Sequence, residues 1–307
     1  MPATELIFPA MTSPRTLKAD SLLLLTAAIW GSAFVAQKAG MDHVGPFLFN
    51  GVRFALGSLF LLPFILSRKG GWTLQLEGAG DGPHLVLAGL VAGVFLFGGS
   101  SLQQVGLLTT TAGKAGFITG LYVIIVPLLG LVWGQLPSVG AWIGSVLAVA
   151  GLYLLTVKQG LVIGAGDLLV LLCAVMFALH VLIIGWLAPR IDILKLASLQ
   201  FAVNAILSLA VAFSLETISL ASLLKAGVPI LYGGLMSVGI AYTLQVVAQK
   251  EAPPTHAAII LSLETVFAVF SGWLVLGEEM TGKGMLGCAL MLAGMLSAQL
   301  LPGKVRF

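Results

Sequence analysis

The sequence predicts an all-α integral membrane protein of ten transmembrane helices, arranged as two inverted five-helix repeats around a central cavity. Three observations carry that prediction. Of the 307 residues 59% are apolar and only 9% charged, with a mean hydropathy of +1.08, far beyond what a soluble domain carries on its surface. The apolar residues fall into ten runs, each close to the ~20 residues that cross a hydrocarbon core about 30 Å thick. The two halves also align with each other at an offset of 142 to 147 residues. An outer-membrane barrel would instead show segments of about 10 residues alternating in polarity, and the sequence has none.

In chain order, residues 1–19 are polar and irregular and read as a cytoplasmic N-terminal segment. With nine further spans behind it, the first apolar run reads as an uncleaved helix rather than a secretory signal. Span 1, roughly residues 20–39, places Trp30, Phe34 and Gln37 at helical spacing. Span 2, roughly 46–67, contains Arg53, and span 3, roughly 84–107, presents Phe97, Ser100, Gln103 and Gln104. Span 4, roughly 112–132, offers Thr119 and Tyr122; span 5 covers roughly 137–156. Span 6, roughly 166–187, offers Phe177, His180 and Ile184, and span 7 covers roughly 194–213. Span 8, roughly 228–249, presents Tyr242, Gln245 and Gln249. Span 9, roughly 254–275, contains Glu264; span 10, roughly 281–300, precedes a cytoplasmic tail at 302–307. Small residues let helices approach where no hydrophobic effect drives them together. Pairs four apart occur at Gly89/Gly93, Gly116/Gly120 and Gly140/Gly144, and pairs seven apart at Gly144/Gly151 and Gly287/Gly294. Each serves either static packing or hinging.

The internal repeat rests on register. "LQQVG" (102–106) falls on "LQVVA" (244–248), and "LAVAGLYLL" (147–155) on "LMLAGMLSA" (290–298). Five spans per half is an odd number, so equivalent helices run antiparallel and the repeat is inverted, with units at 20–158 and 159–301. Two such units of similar packing can exchange shapes, so that a site between them faces each side in turn. That is the physics of alternating access.

With the N-terminus inside, Arg15, Lys18, Arg68, Lys69, Arg190, Lys195, Lys250, Lys304 and Arg306 are cytoplasmic, and Lys38, Lys114, Lys158, Lys225 and Lys283 are outside. Nine against five places both termini in the cytoplasm. The net charge of +3 is scattered over loops, so no nucleic-acid partner is expected. Cys173 and Cys288 lie inside apolar runs without partner spacing and read as small core residues.

Polar groups inside the spans are site candidates because hydrocarbon penalises them. Arg53 lies near enough to a span end to snorkel or to serve a site. Glu264 stands about ten residues into span 9, roughly 15 Å deep at 1.5 Å per residue. It shares a small and polar face with Ala257, Leu261, Ala268 and Ser271, whereas Val266, Phe267, Val269, Phe270, Trp273 and Leu274 read as lipid-facing. Three roles are open to it: meeting cargo, coupling protons, or bonding a neighbouring helix. The substrate-binding candidates are Trp30, Phe34, Arg53, Ser100, Gln103, Tyr122, His180, Tyr242, Gln245 and Glu264, which together describe an aromatic-walled cavity with a few amide and hydroxyl groups. "TTTAGKA" (109–115) is a near miss for a phosphate loop: six residues separate Gly106 from Gly113 where four are required, and Ala115 stands where Ser or Thr would hold magnesium. His43, His84, His180 and His256 lie in separate segments without metal-ligand spacing. Neither a GxSxG motif nor paired carboxylates occur, so no catalytic site, metal or cofactor is expected.

Four segments in order, "WGSAFVAQK" (30–38), "FNGVRFALGSLFLLP" (49–63), "GFITGLYVIIVPLLGLVWGQLPSVGAWIGSVLAVAG" (116–151) and "LSLETVFAVFSGWLVLGEEMTGKGMLGCALMLAG" (261–294), give the chain its resemblance to the drug/metabolite transporter superfamily. Within it the chain resembles the ten-span EamA-type exporters, over about residues 20–300. The resemblance implies a cavity between spans 1–4 and 6–9, with spans 5 and 10 peripheral, and export of amino acids or related metabolites across the bacterial inner membrane without ATP. Trp30, Arg53 and Glu264 fall where the family often has Trp, Arg and Glu; Gln135 departs from the usual acidic residue ending span 4. The expected partners are a small-molecule substrate and the lipid bilayer. The alternatives are efflux of hydrophobic cations, which would lean on Glu264 as counter-charge, and an intramembrane enzyme, for which the sequence supplies no constellation.

Overall fold

The structure is a computed structural model that describes residues 14–67, 85–110, 112–134, 136–156, 164–276 and 281–301. Most of the expected N-terminal segment, the 302–307 tail, Arg68, Lys69, His84, Gln135, Lys158, Lys304 and Arg306 lie outside the described residues, as do the side chains of Arg15 and Lys114.

Among the described residues every regular element is a helix: α1 (Pro14–Met41), α2 (Pro46–Leu66), α3 (Leu85–Gly106), α4 (Ala112–Gly120), α5 (Tyr122–Val132), α6 (Val139–Thr156), α7 (Ala165–Leu187), α8 (Ile193–Leu215), α9 (Leu220–Lys225), α10 (Gly227–Leu231), a π-helical segment (Tyr232–Tyr242), α11 (Thr243–Gln249), α12 (Pro254–Leu261), α13 (Glu264–Leu276) and α14 (Gly282–Leu300). Seven helical stretches are long and apolar enough to cross a membrane, with α10, the π-helical segment and α11 forming one of them and α12 with the start of α13 another. The expected spans 4, 5 and 10 correspond to shorter apolar helices, Ile118–Val132, Val139–Leu154 and Gly282–Ala298. Large apolar side chains such as Leu59, Leu87, Val94, Val146, Phe213 and Leu292 stand exposed on the outside of the bundle, the surface a hydrocarbon solvent would cover.

Polar residues fix the helix ends. Pro46 opens α2, and both carboxylate oxygens of Glu216 accept from the exposed first-turn donors, Phe47 N and Leu48 N, at 2.8 Å each, tying the end of α8 to the start of α2. Asp192 caps α8 through Lys195 N, and Thr281 caps α14 through Gly284 N. Asp20 near the start of α1 meets His256 near the start of α12, with Oδ1 and Nε2 2.7 Å apart, in buried surroundings. Asp167, 147 residues after Asp20, accepts from Thr110 Oγ1 at 2.6 Å and so links the start of α7 to the end of α3.

The bundle is built from cross-chain pairs: α1 packs on α13 and the π-helical segment, α2 on α8 and that same segment, α3 on α7 and α8, α5 on α7 and α12, and α6 on α14. The α6–α14 seam explains the glycines seven apart. Gly144 lies against Gly294 and Gly151 against Gly287, so closely that a β-carbon on Gly151 would stand 2.5 Å from the Gly287 carbonyl oxygen. Of the face expected to meet lipid on span 9, Phe270, Trp273 and Leu274 are exposed. Val266, Phe267 and Val269 are instead partly buried against a core that includes Ala27 and Leu263, with Gly31 of α1 directly beside Phe267.

Gly151→Ala should lower the stability of the purified protein by about 1–3 kcal/mol, since one of two backbones must move to admit the methyl group; thermal unfolding in detergent checks it. Asp20→Ala leaves His256 Nε2 without its partner and should cost about 1–3 kcal/mol by the same measurement.

Candidate functional site

Two helices break at matching places. In the first half the α4–α5 junction is a tight turn at Leu121, with Leu121 N donating to Ile118 O and Ile124 N to Leu121 O. In the second half the α12–α13 junction turns the same way, with Leu263 N donating to Ile260 O and Thr265 N to Ser262 O. These i→i+3 bonds are the tightened geometry of a helix end. Leu121 and Leu263 are 142 residues apart, as are Tyr122 and Glu264, the first residues of the helices that follow. The breaks bring those two side chains together: the Tyr122 hydroxyl reaches Glu264 Oε1 at 3.5 Å, the long end of the hydrogen-bond range. Thr265 Oγ1 secures the crossing by donating to Gly116 O at 3.1 Å.

Glu264 is 5% exposed. On its other side α1 passes at Gly31, where a β-carbon would stand 2.5 Å from the Glu264 carbonyl oxygen. Glycine at 31 therefore sets how near α1 comes to the α13 N-terminus. One turn earlier on α1, Ala27 is buried against Val123 and Leu263, which seals this corner.

The cavity these helices enclose is lined by Trp30, Phe34, Gln37, Arg53, Gln103, Thr119, Tyr122, Phe177, His180, Val181, Ser237, Tyr242, Gln245, Leu261 and Glu264. Its volume is about 40 Å³ as swept by the centre of a water-sized sphere, room for a few waters and no large solute in this conformation. The structure thus brings together nine of the ten residues singled out from sequence, Trp30, Phe34, Arg53, Gln103, Tyr122, His180, Tyr242, Gln245 and Glu264. Ser100 stands apart. Its hydroxyl accepts from Asn204 Nδ2 at 3.0 Å and faces α8, where Ser208 continues the chain of bonds. Ser100 shares a helix face with Gln103, but its short side chain is taken up by Asn204 on α8 and stops short of the cavity.

Each polar wall residue has a distinct setting. Arg53 is 2% exposed, donates Nε to Asn50 Oδ1 at 3.0 Å, and holds its guanidinium 5.4 and 5.0 Å from the ring centroids of Phe49 and Phe54. It does not snorkel to a span end. Arg53 and Glu264 line one cavity, yet neither has an ion-pair partner among the described residues. His180 Nε2 donates to Gln200 Oε1 at 2.8 Å, and its ring meets Tyr242 edge-on. Gln103 Nε2 donates to Thr119 Oγ1 at 3.2 Å. Gln245 Nε2 donates to Gln249 Oε1 at 2.9 Å, and Gln249 Nε2 to Val181 O at 2.8 Å.

Ser237 is the wall residue that helical spacing does not reveal. It precedes Tyr242 by five positions, which an α-helix would turn to another face; the π-helical segment, with its i→i+5 repeat, stacks the two. Trp30 Nε1 donates to Ser237 O at 3.2 Å and Thr26 Oγ1 to Ala241 O at 3.2 Å, so α1 binds carbonyls along the widened turns. Trp30 also packs on Tyr242, ring centroids 4.5 Å apart. No heptad or 3.6-residue pattern signals such a segment. Its three glycines, Gly233, Gly234 and Gly239, are the one local hint.

Comparison with known proteins bears on what this arrangement is for. The family model described as EamA-like transporter family matches twice, over residues 17–157 and again over 164–298. An uncharacterized transporter of Archaeoglobus fulgidus is 33% identical over 93% of this chain and 87% of its own length. The S-adenosylmethionine/S-adenosylhomocysteine transporter of Chlamydia muridarum is 25% identical over 88% of this chain and 90% of its own. A solved crystal structure, 19% identical, superposes with a TM-score of 0.75 over 92% of this chain and 96% of that one, a likeness of fold.

Proposed function

The chain belongs to the EamA-like transporter family, and from that premise we propose that this membrane transporter exports amino acids or similarly small zwitterionic metabolites by alternating access, without ATP. One observation carries the cargo assignment: a buried arginine and a buried glutamate line the same cavity without pairing to each other. Held charged, both groups are costly in a low-dielectric interior unless a partner compensates them. A zwitterion offsets both at once, its carboxylate toward Arg53 and its ammonium toward Glu264. The aromatic walls, Trp30, Phe34, Phe177 and Tyr242, take up side chains of differing shape without demanding hydrogen bonds.

The mechanism is read from register and packing. Ten crossings in two inverted units, 20–158 and 159–301, are supported by the double family match and by the packing pairs, each of which has a counterpart at the 142 to 147 offset. α1 on α12 and α13 corresponds to α7 on α4 and α5, and α2 on the π-helical segment to α8 on α3. The breaks beside Tyr122 and Glu264 give each unit a place to bend at the cavity. On this reading the protein lies in a bacterial inner membrane with both termini cytoplasmic, following its distribution of Lys and Arg.

A second reading, export of larger amino-acid derivatives, is favoured by the relative named for S-adenosylmethionine and S-adenosylhomocysteine. Both of those molecules carry an amino-acid head group, so the same two charges would hold them, in a conformation with a wider cavity.

Counterflow of radiolabelled amino acids in proteoliposomes, with and without a pH difference, tests the proposal. Saturable exchange is expected, and Glu264→Gln should reduce it by about tenfold or more, the scale of an unpaired buried charge partner. Unchanged rate and affinity across pH in Glu264→Gln would remove that residue from both binding and coupling. For topology, reporters at residue 1 and residue 160 should lie on opposite faces of the membrane; the same face for both would sink the five-plus-five arrangement.

A further inference from the structure

We infer that the cavity discriminates its cargo by the number of N–H groups on the ammonium, and that Gln245 sets this discrimination together with Glu264. The inference rests on the export reading above and adds to it which ammonium compounds are accepted.

The argument starts from a difference between the two halves. Gln103 and Gln245 occupy positions 142 residues apart, and both line the cavity. Gln103 spends its amide N–H on the Thr119 hydroxyl at 3.2 Å. The position 142 residues after Thr119 is Leu261, which is buried in the cavity wall and has no acceptor to offer. Gln245 therefore turns along its own helix and donates to Gln249 Oε1 at 2.9 Å. Its own Oε1 is left buried without a partner. The amide cannot simply be reversed. Gln249 commits its Nε2 to Val181 O at 2.8 Å, so its Oε1 faces Gln245 and needs a donor there.

Among the described residues Glu264 receives only the 3.5 Å bond from Tyr122, although a carboxylate accepts about four hydrogen bonds. Donors in surplus sit at Arg53, where Nε alone is engaged with a neighbouring side chain. The lining is thus polarised, with unmet acceptors at Glu264 and Gln245 and unmet donors at Arg53.

Primary and quaternary ammonium groups meet this lining differently. Both neutralise Glu264, and both are attracted by the rings of Trp30, Tyr122 and Tyr242, since a cation over an aromatic face needs no N–H. Only an ammonium bearing N–H groups also satisfies the Gln245 amide oxygen. A quaternary group presses methyls on it and leaves it unmet, which is how a site built for hydrogen bonding rejects an analogue that lacks the donor.

The test uses the full-length protein in proteoliposomes. Counterflow of a mixed radiolabelled amino-acid pool identifies the best-exchanged member, and that amino acid and its N-methyl, N,N-dimethyl and N,N,N-trimethyl derivatives then compete with it. In the wild type, inhibition should weaken stepwise, the quaternary derivative ending about tenfold or more below the parent. Gln245→Met, which keeps the volume and removes the acceptor, should bring parent and quaternary derivative to within about threefold, whereas Gln245→Glu should keep them apart. Equal inhibition by all four compounds in the wild type, or an unchanged ratio in Gln245→Met, overturns the inference while leaving amino-acid export standing. Absence of any amino-acid counterflow overturns the export reading and this subsite with it. Should Gln245→Met fail to reconstitute, Gln245→Asn, which withdraws the carbonyl by one methylene, takes its place with the same expectation.

Discussion

Hydrocarbon offers no hydrogen bonds, and the architecture of this protein follows from that. A backbone that stops being helical, or a side chain that carries charge, must be enclosed by protein. The two helix breaks at Leu121 and Leu263 are enclosed in this way: their freed backbone groups lie among α1, α7, α12 and α14 rather than on the lipid surface. Arg53 and Glu264 are enclosed as well, on opposite halves of the chain. The cavity is therefore a consequence of burying them, as much as a container prepared for something else.

Enclosure requires close approach, and small residues supply it. Glycines facing glycines along α6 and α14 make a tight pair that packs on α12, while Gly31 lets α1 reach the α13 N-terminus. Large aromatic rings meet where the helices do not close. Trp30, Tyr242 and His180 hold one another at ring-contact distance and prop the interior open. The π-helical segment belongs to the same economy of space, since its wider turns carry both Ser237 and Tyr242 to the wall, and α1 takes up the carbonyls thereby exposed.

The halves repeat shape more closely than chemistry. Break answers break at Leu121 and Leu263, and aromatic answers aromatic at Trp30 and Phe177, 147 residues apart. In the cavity wall charge does not repeat: Tyr122 stands where the second half has Glu264, and Arg53 where it has Gln200. For the transport cycle proposed above, similar shapes keep the two facings near in energy, whereas the unequal lining gives the cargo a fixed orientation between Arg53 and Glu264. Geometry and electrostatics thus serve separate ends on one framework.

Most of the bundle was legible in the sequence, because apolar run length is imposed by bilayer thickness and a residue too polar for lipid advertises itself. That is why Glu264, Arg53, His180 and the two glutamines could be picked out before any packing was known. Three things were decided only by tertiary structure. Ser100 turned to Asn204, since a small hydroxyl is satisfied by whichever helix is nearer and sequence does not say which. The π-helical turns are packed between α1 and α2, long-range partners that no local periodicity encodes. The unpaired Gln245 oxygen was settled by Gln249, whose amide is held by Val181 O on α7, a partner that nothing in the Gln245 helix alone specifies.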